Sequence, residues 1–192
     1  MTPADSDTED TADVRRVLAG ETSAFAGIVR RWQSRLVNLA WRFSRDRTAA
    51  EDMAQDAFVS AFRGLRTFRG ESSFSTWLTA IALNSYRSWL RDRPPATVSV
   101  DLARLADWRP PPTADVEDRE RASVVQHAVA RLPPRYRDPI VLFYFQEMDL
   151  AETARVLGLR EGTVKARLHR GRKLLERRLL ARQETFDDGP ER

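Results

Sequence analysis

Apolar side chains recur at steps of three and four residues along the first half of the chain, which is the period of an amphipathic α-helix. The pattern predicts one helix over 25–44 and a second that begins at Thr48, because Thr48 and Glu51 have the spacing of a capping box. A stretch at 69–73 that contains Gly70 and two serines interrupts the pattern, and a third helix follows over 74–93. The stripe predicted to be buried on the second helix comprises Met53, Ala57, Phe58, Ala61, Phe62 and Leu65.

The second half of the chain has the same helical period and none of the alternation that is typical of strands. Four helices are predicted there, over 116–132, 135–145, 150–157 and from 161 to at least 178. Pro133 and Pro134 separate the first two. Asp149 and Glu152 form a second capping-box pair, and Gly158 is placed to end the third helix. The predicted fold class is therefore all-α, with two small helical domains.

The two halves are separated by residues 94–113, which hold five of the ten prolines and show no helical period, as a linker would. Net charge changes sign in step with this division. We predict an acidic N-terminal tail at 1–13 (net charge −5), a first domain at 14–93 (+7), a linker at 94–121 (−2), a second domain at 122–182 (+7) and an acidic C-terminal tail at 183–192 (−3). Of the 32 basic residues 30 are arginine, whose planar guanidinium suits bidentate contacts with phosphate and guanine. Two basic domains on a tether could bind two separated sites on one nucleic acid.

Residues 150–169 have the features of a helix-turn-helix. Ala154 supplies a small residue where the two helices cross, Gly158 supplies the turn, and Val164 supplies a branched apolar residue that packs back. The face of the second helix toward the core is predicted to be Val164, Leu168, Gly171 and Leu175. The basic side chains then lie on the other faces. Such a helix is either a recognition helix in a DNA major groove or a solvated basic helix that caps a bundle.

In a major groove, Lys165 and Arg170 are candidates for guanine edges, and Ala166 can offer only methyl contact. The candidates for phosphate contacts are Arg160, Arg172 and Lys173.

Two features of the first domain are also candidates for function. Asp52 and Asp56 lie one helical turn apart beside Gln55, and they indicate either a patch for a basic protein partner or acids that favour the helix dipole. No His or Cys accompanies them, so neither a metal site nor acid–base catalysis is favoured. The loop 68–73 begins with Phe68 and is followed directly by Phe74. Aromatic residues at both ends fit a pocket for an unstacked base. Alternatively, the loop is a turn and a helix cap, and the aromatic residues belong to the core.

Composition excludes several classes of function. The absence of cysteine rules out disulfides, thiolate metal sites and cysteine nucleophiles, and two histidines alone cannot build a metal centre. The longest apolar run, Ile140 to Phe145, is too short to cross a membrane, and we expect a soluble cytoplasmic protein. There is no glycine-rich phosphate-binding motif, and no cofactor is expected.

Taken together, these motifs resemble bacterial RNA polymerase sigma factors of the extracytoplasmic-function class. The segments AEDMAQDAF at 50–58 and FRGESSFSTWL at 68–78 are similar to the family's region two. The segments LPPRYR at 132–137 and GTVKARLHRGR at 162–172 are similar to its region four. Several separate motifs in the family's order make the resemblance specific.

The resemblance implies that core RNA polymerase is a partner, whose largest subunit has clamp helices that are bound by Asp52, Gln55, Asp56 and Phe58. It implies that the minus-ten element of promoter DNA is bound by a base-capturing loop and the helix after it, through Phe68, Arg69, Gly70, Ser72, Ser73, Phe74, Asn84, Arg87 and Arg91. The minus-thirty-five element is bound by Arg160, Thr163, Lys165, Ala166, Arg167, Arg170, Arg172 and Lys173. The second domain would also bind the flap of the second-largest subunit, and an anti-sigma factor is a further expected partner.

The predicted function is therefore that of a non-enzymatic transcription initiation factor, monomeric when free, that directs polymerase to promoters and helps to open them. An alternative is a helix-turn-helix regulator that acts without polymerase, which would be a dimer on a palindromic operator. A helical enzyme that uses Asp52 and Asp56 has little in its favour.

Overall fold

Eight α-helices and no strand make up the part of the chain that the computed structural model describes, residues 3–92 and 116–187. These residues divide between two compact units, Met1–Val100 and Asp101–Arg192. The all-α prediction is confirmed. The proline-rich residues of the predicted linker lie outside the described residues. None of the described helices combines the length and apolar character that a membrane span requires.

The first unit contains four helices, α1 (Pro3–Leu18), α2 (Phe25–Ser44), α3 (Arg47–Gly64) and α4 (Phe74–Asp92), with 3₁₀ turns at Thr22–Ala24 and Leu65–Thr67. Helix α3 packs against both α2 and α4, and α1 packs against α2 and α4. Completely buried side chains of the core include Ile28, Leu36, Leu39, Met53, Leu78, Leu83 and Tyr86. The hydroxyl of Tyr86 donates a hydrogen bond to the backbone oxygen of Leu36 at 3.0 Å, and burial raises the pKa of this phenol above its ordinary range.

The predicted start of the second helix is wrong by one residue and in its cap. Helix α3 begins at Arg47, and Asp46 is the N-cap, with its Oδ1 accepting from the amide of Ala49 at 2.8 Å. Thr48 lies inside the helix and does not cap it. The reason is that α2 ends on Arg45 in the left-handed conformation (φ 55°), which turns the chain so that Asp46 is extended and available as the cap.

The structure also differs from the expectation of an acidic tail at 1–13. Helix α1 runs without a break through that boundary, and Val14 and Val17 are buried against the rest of the unit. Asp10 is completely buried, and Asp13 nearly so. These carboxylates can be buried because both pair with Arg31 on α2, which offsets the cost of removing a charge from water.

The second unit consists of α5 (Val116–Ala130), α6 (Pro134–Ile140), α7 (Leu150–Leu157) and α8 (Glu161–Asp187). The prediction of one helix over 135–145 is wrong in its second half, because α6 continues as a π-helical turn at Val141–Phe145. Helix α5 begins at Val116, where the sequence predicts a helix, so residues 116–121 are helical although the domain division assigns them to the linker, and α8 extends into the predicted C-terminal tail. The core of the second unit includes Val129, Leu132, Ile140, Val141, Leu142, Ala154, Val156, Val164 and Leu168.

Helices α6 and α8 approach closely at Gly171, which is buried. A Cβ atom at this position would lie 2.6 Å from Cδ1 of Ile140, closer than van der Waals contact allows. Glycine is therefore accommodated here for its size, in spite of its low helix propensity.

Candidate nucleic-acid interface

Helix α7, which precedes the turn into α8, is capped at both of its ends. Oδ1 of Asp149 accepts from the amide of Glu152 at 2.7 Å, and Oε2 of Glu152 accepts from the amide of Asp149 at 3.0 Å. Gly158 has a φ of 63°, in the left-handed region, and the amide of Leu159 donates to the oxygen of Ala154 at 2.9 Å. The predicted capping box and glycine turn are confirmed, and they set the direction in which α8 leaves the turn.

Helix α8 buries one face and exposes a basic surface. Val164 is completely buried, Leu168 and Gly171 are buried, and Leu175 is half-buried, as the sequence predicts. The predicted DNA-binding residues that are exposed are Arg160, Thr163, Lys165, Ala166, Arg170, Arg172 and Lys173, while Arg167 is half-buried. Residues 160–182 carry a net charge of +7. An exposed helix face with this charge attracts an anionic partner.

Tyr144 is a residue near this surface that the sequence analysis did not single out. It is 45% exposed, and Nη1 of Arg172 donates to its hydroxyl at 3.4 Å. Phe143 packs against its ring edge to face, with the centroids 5.0 Å apart. Within the apolar run 140–145, spacing alone does not distinguish this exposed phenol from its buried neighbours.

The loop 68–73 of the first unit stands on an aromatic cluster. The rings of Phe68, Phe74 and Trp77 lie 5.4 to 5.5 Å apart, centroid to centroid. Phe74 is 0% exposed, so its predicted contact with a base is not available in this structure, and the ring instead supports the loop. Phe68 is half-buried, and Arg69 and Gly70 are exposed. Gly70 has a φ of 73°, which only glycine adopts without strain.

The start of α4 is held by two side chains. Ser73, for which a helix cap was one of the two sequence interpretations, accepts with its Oγ from the amide of Thr76 at 3.2 Å. Its hydroxyl also lies 2.8 Å from the hydroxyls of Ser75 and Thr76. The amide of Phe74 donates to Oδ1 of Asp7, on α1, at 2.8 Å. The sequence analysis missed Asp7, since 67 residues separate it from its partner.

Three more predicted DNA-binding residues lie along α4. Asn84 and Arg91 are exposed, Arg87 is half-buried, and their spacing of three and four residues puts them on one face. Nη2 of Arg91 donates to Oγ of Ser88 at 2.9 Å. This helix begins directly after the loop 68–73, so both groups of candidate residues belong to the loop and the helix that follows it.

An apolar groove lies between α2 and α3 beside the predicted acidic patch. Asp52, Gln55 and Asp56 are exposed, and Phe58 is buried at the groove wall. The groove has a volume of about 810 Å³, and its other apolar lining residues include Phe25, Val29, Val59 and Phe62. Among the residues described, no cluster of three or more His, Cys, Asp or Glu could hold a metal ion.

The prediction that Phe62 is a core residue is wrong. This side chain is 40% exposed and Val59 is 41% exposed. The ring of Phe25 packs edge to face against Phe62, with the centroids 5.1 Å apart. Val59 and Phe62 thus add exposed apolar area to a groove whose polar lining includes Glu51, Gln55 and Arg63, and apolar area with a polar rim is the composition of a protein-binding site.

Comparison with known proteins relates both units to one family. A family model described as "Sigma-70 region 2" matches residues 28–94, and one described as "Sigma-70, region 4" matches residues 123–175. The chain is 33% identical to the ECF RNA polymerase sigma factor SigW of Bacillus subtilis (strain 168) over 177 residues, which cover 86% of this chain and 94% of SigW. It is 39% identical to the ECF RNA polymerase sigma factor SigM of Mycobacterium tuberculosis (strain ATCC 25618 / H37Rv) over 164 residues, which cover 84% of this chain and 80% of SigM.

Solved structures agree with these sequence matches. The chain is similar to CnrH, whose structure is described as a complex with the cytosolic domain of CnrY, with a TM-score of 0.69 and 29% sequence identity. The match covers 90% of this chain and 98% of that one.

Proposed function

The chain belongs to the extracytoplasmic-function class of bacterial RNA polymerase sigma factors, and on that premise we propose how its two domains divide promoter recognition. As a sigma factor, it is a transcription initiation factor that directs RNA polymerase to promoters. The observation that carries the proposal is the exposed basic face of α8, which is the second helix of the capped helix-turn-helix. This part of the chain would bind the minus-thirty-five element.

In this proposal α8 lies in the major groove. Lys165 and Arg170 contact base edges, Ala166 offers a methyl group, and Thr163 and Arg167 lie beside them on the same helix. Arg160, Arg172 and Lys173 contact phosphates and set the register of the helix. Phosphate binding by several arginines would make the affinity for DNA fall steeply with salt.

The first domain would bind the minus-ten element. The loop 68–73 captures a base flipped from the non-template strand, and Phe68, Arg69, Ser72 and the glycine backbone at Gly70 supply apolar contact and polar groups. Asn84, Arg87 and Arg91 continue this surface along α4. Base capture and phosphate contacts would offset the cost of unpairing, so no nucleotide hydrolysis or other catalysis by this chain is proposed.

The groove between α2 and α3 would bind the clamp helices of the polymerase's largest subunit. Val59 and Phe62 supply exposed apolar area, and Asp52, Gln55 and Asp56 supply a polar rim for a basic partner. We also propose that an anti-sigma factor controls this chain, as its family membership implies; the similar chain CnrH is likewise described in complex with another protein, the cytosolic domain of CnrY. The second domain would bind the flap of the second-largest subunit, and the factor would act in the cytoplasm with the polymerase.

A variant in the groove tests this assignment. Val59→Asp would place a carboxylate in the apolar interface and should weaken binding to core polymerase by at least about tenfold, or about 1.4 kcal/mol. Leu18→Asp, a matched change at a residue of α1 that is 48% exposed and does not line the groove, should leave core binding unchanged. Equal effects of the two changes would contradict the placement of the interface.

Transcription with purified components tests the function as a whole. Adding the chain to core polymerase should produce transcripts with defined start sites on genomic DNA fragments, and core polymerase without it should not. Equal transcripts with and without the chain would refute the proposal. The alternative of a polymerase-independent regulator leaves the match to region two without a role. It predicts a dimer and a palindromic footprint, which light scattering and footprinting of the free chain would detect.

A further inference from the structure

We propose that helix α1 is a positioning element for the loop 68–73, and that Asp7 acts on base capture through its hydrogen bond to the start of α4. This inference rests on the proposed function of that loop. Asp7 is a positioning residue, because its carboxylate contacts the backbone of Phe74 and is not itself proposed to contact DNA.

Three of the five acids of α1 lie on one face of the helix. Asp7, Asp10 and Asp13 are three residues apart, which places them in a row on successive turns. Two of them bind α2. Oδ1 of Asp10 accepts from Nε of Arg31 at 2.8 Å, and Oδ2 of Asp13 accepts from Nη2 of the same guanidinium at 2.6 Å.

This anchorage is buried and directional. The second oxygen of Asp10 accepts from the indole Nε1 of Trp32 at 2.8 Å, and Asp10 is completely buried. Charge-assisted hydrogen bonds of this kind hold defined geometry better than apolar contact does. The position of α1 along α2 is therefore fixed, and Asp7, one turn before Asp10, is carried to a fixed place beside α4.

Helix α1 contacts both ends of the loop. It packs against the 3₁₀ turn Leu65–Thr67, which precedes the loop. Through Asp7 it also accepts a hydrogen bond from the amide of Phe74, the residue that follows the loop. Phe74 in turn packs against Phe68 across the loop, with the rings 5.5 Å apart. Because the first amides of a helix have no partner within the helix, a carboxylate from outside is an effective restraint on its first turn. Removing it should leave the loop folded but less well ordered around the captured base.

The test uses polymerase holoenzyme reconstituted with the full chain and two single-stranded probes. Both carry the non-template strand of the minus-ten element of a promoter found by start-site mapping. One is intact, and the other has an abasic site at the captured position. That position is the one at which an abasic site weakens binding by the wild-type holoenzyme most, when abasic sites are placed at each base of the probe in turn. Asp7→Ala should bind the intact probe about threefold to tenfold more weakly, the range that loss of a helix cap allows. It should bind the abasic probe as the wild type does.

Two further variants separate positioning from general destabilisation. Asp7→Asn keeps an oxygen that accepts from the Phe74 amide and should stay close to the wild type. Glu9→Ala removes an exposed acid of α1 that pairs with Arg31 at 3.6 Å, and it should leave both probes unaffected. Should Asp7→Ala fail to fold, Asp7→Gln, which moves the oxygen outward by one methylene, is scored by the same ratio of the two probes.

Equal weakening of both probes by Asp7→Ala, or no weakening of either, would overturn the inference. If the wild-type chain itself bound the intact and abasic probes equally, the proposed base capture would fail, and the inference would fail with it. The two failures are distinguishable, because the first leaves the wild-type preference for the intact probe in place.

Discussion

Gly27→Ala would add one methyl group inside the contact between α1 and α2. A Cβ at Gly27 would lie 2.4 Å from Oδ2 of Asp13, 3.3 Å from its Cγ and 3.2 Å from Nη1 of Arg31. No real Cβ tolerates the first of these distances, so the carboxylate must move. Asp13 cannot move without leaving Arg31, because that same Oδ2 accepts from Nη2 of Arg31 at 2.6 Å.

The net effect combines a loss and a gain. A hydrogen bond to a charged group contributes about 1.5–3 kcal/mol. Alanine in place of glycine within a helix stabilises the folded chain by up to about 1 kcal/mol, because alanine has the higher helix propensity. Arg31 keeps its bond to Asp10, so the cation is not left unpaired. We therefore expect Gly27→Ala to lower the free energy of unfolding of the first domain by about 0.5–2 kcal/mol.

Urea unfolding followed by tryptophan fluorescence measures this change, since Trp32, Trp41, Trp77 and Trp89 all belong to the first unit. Gly64→Ala, at the end of α3 in the same unit, is the matched control, because a Cβ there meets its nearest atom, Cδ1 of Ile81, only at 3.9 Å, and the change should be neutral or stabilising. The decisive variant is Gly27→Ala in an Asp13→Ala background, where the clash is gone and the added methyl should stabilise.

Either of two results would refute the reasoning. The first is a Gly27→Ala chain whose free energy of unfolding is higher than that of the wild type, which would mean that Asp13 moves at no cost. The second is a destabilisation that persists in the Asp13→Ala background, in which case the clash is with something other than this carboxylate.

Three further predictions concern the two domains. Arg170→Ala should cost about 1–3 kcal/mol in binding the minus-thirty-five element and relax the preference at one base pair, whereas Arg172→Ala should weaken all sequences alike and reduce the salt dependence; binding titrations on single-base variants of the site would expose an exchange of the two roles. Burial raises the pKa of Asp10 above its ordinary value of 3.8, so the folded chain binds this proton more readily than the unfolded chain does. The stability of the wild type relative to Asp10→Asn should therefore increase as the pH falls from neutrality toward 3.8, and urea titrations that found this difference shrinking would contradict the burial effect. Glu147 has a φ of 55°, which glycine adopts with less strain than glutamate, so Glu147→Gly should raise the free energy of unfolding of the second domain by up to about 1 kcal/mol. An unchanged melting temperature would contradict this prediction.

Where local chemistry decides the structure, the sequence was sufficient to predict it. Helix α2 has the predicted bounds because apolar residues at helical spacing all pack on one side. The capping box of Asp149 and Glu152 and the turn at Gly158 form as predicted because their partners are only three to five residues away. For the same reason the buried face of α8 and its basic opposite face could be assigned from residue spacing alone.

Helix α1 could not be placed in this way, because what holds it includes buried charge. Periodicity detects apolar stripes, and a row of aspartates looks like a solvated tail. Asp10 and Asp13 are buried only because Arg31 lies opposite, 18 to 21 residues along the chain. No local pattern reports such a pairing.

Aromatic residues of the candidate sites could not be placed from the sequence for a related reason. Spacing puts Phe62 on the core stripe, but Phe62 is exposed. For Phe74 the sequence left both a base pocket and the core open, and in the structure Phe74 is buried. Which of two aromatic rings faces solvent depends on the helices packed around it, and that arrangement is a property of the tertiary fold.

The close approach of α6 and α8 has a consequence for how the family can vary. The space that a methyl group at position 171 would need is filled by Cδ1 of Ile140. These two positions therefore share one volume, and evolution should change them together. In relatives with alanine at the position of Gly171, we expect a shorter side chain, such as valine, at the position of Ile140. A relative that keeps both larger residues should have its recognition helix displaced outward, and with it the spacing of the bases that it reads.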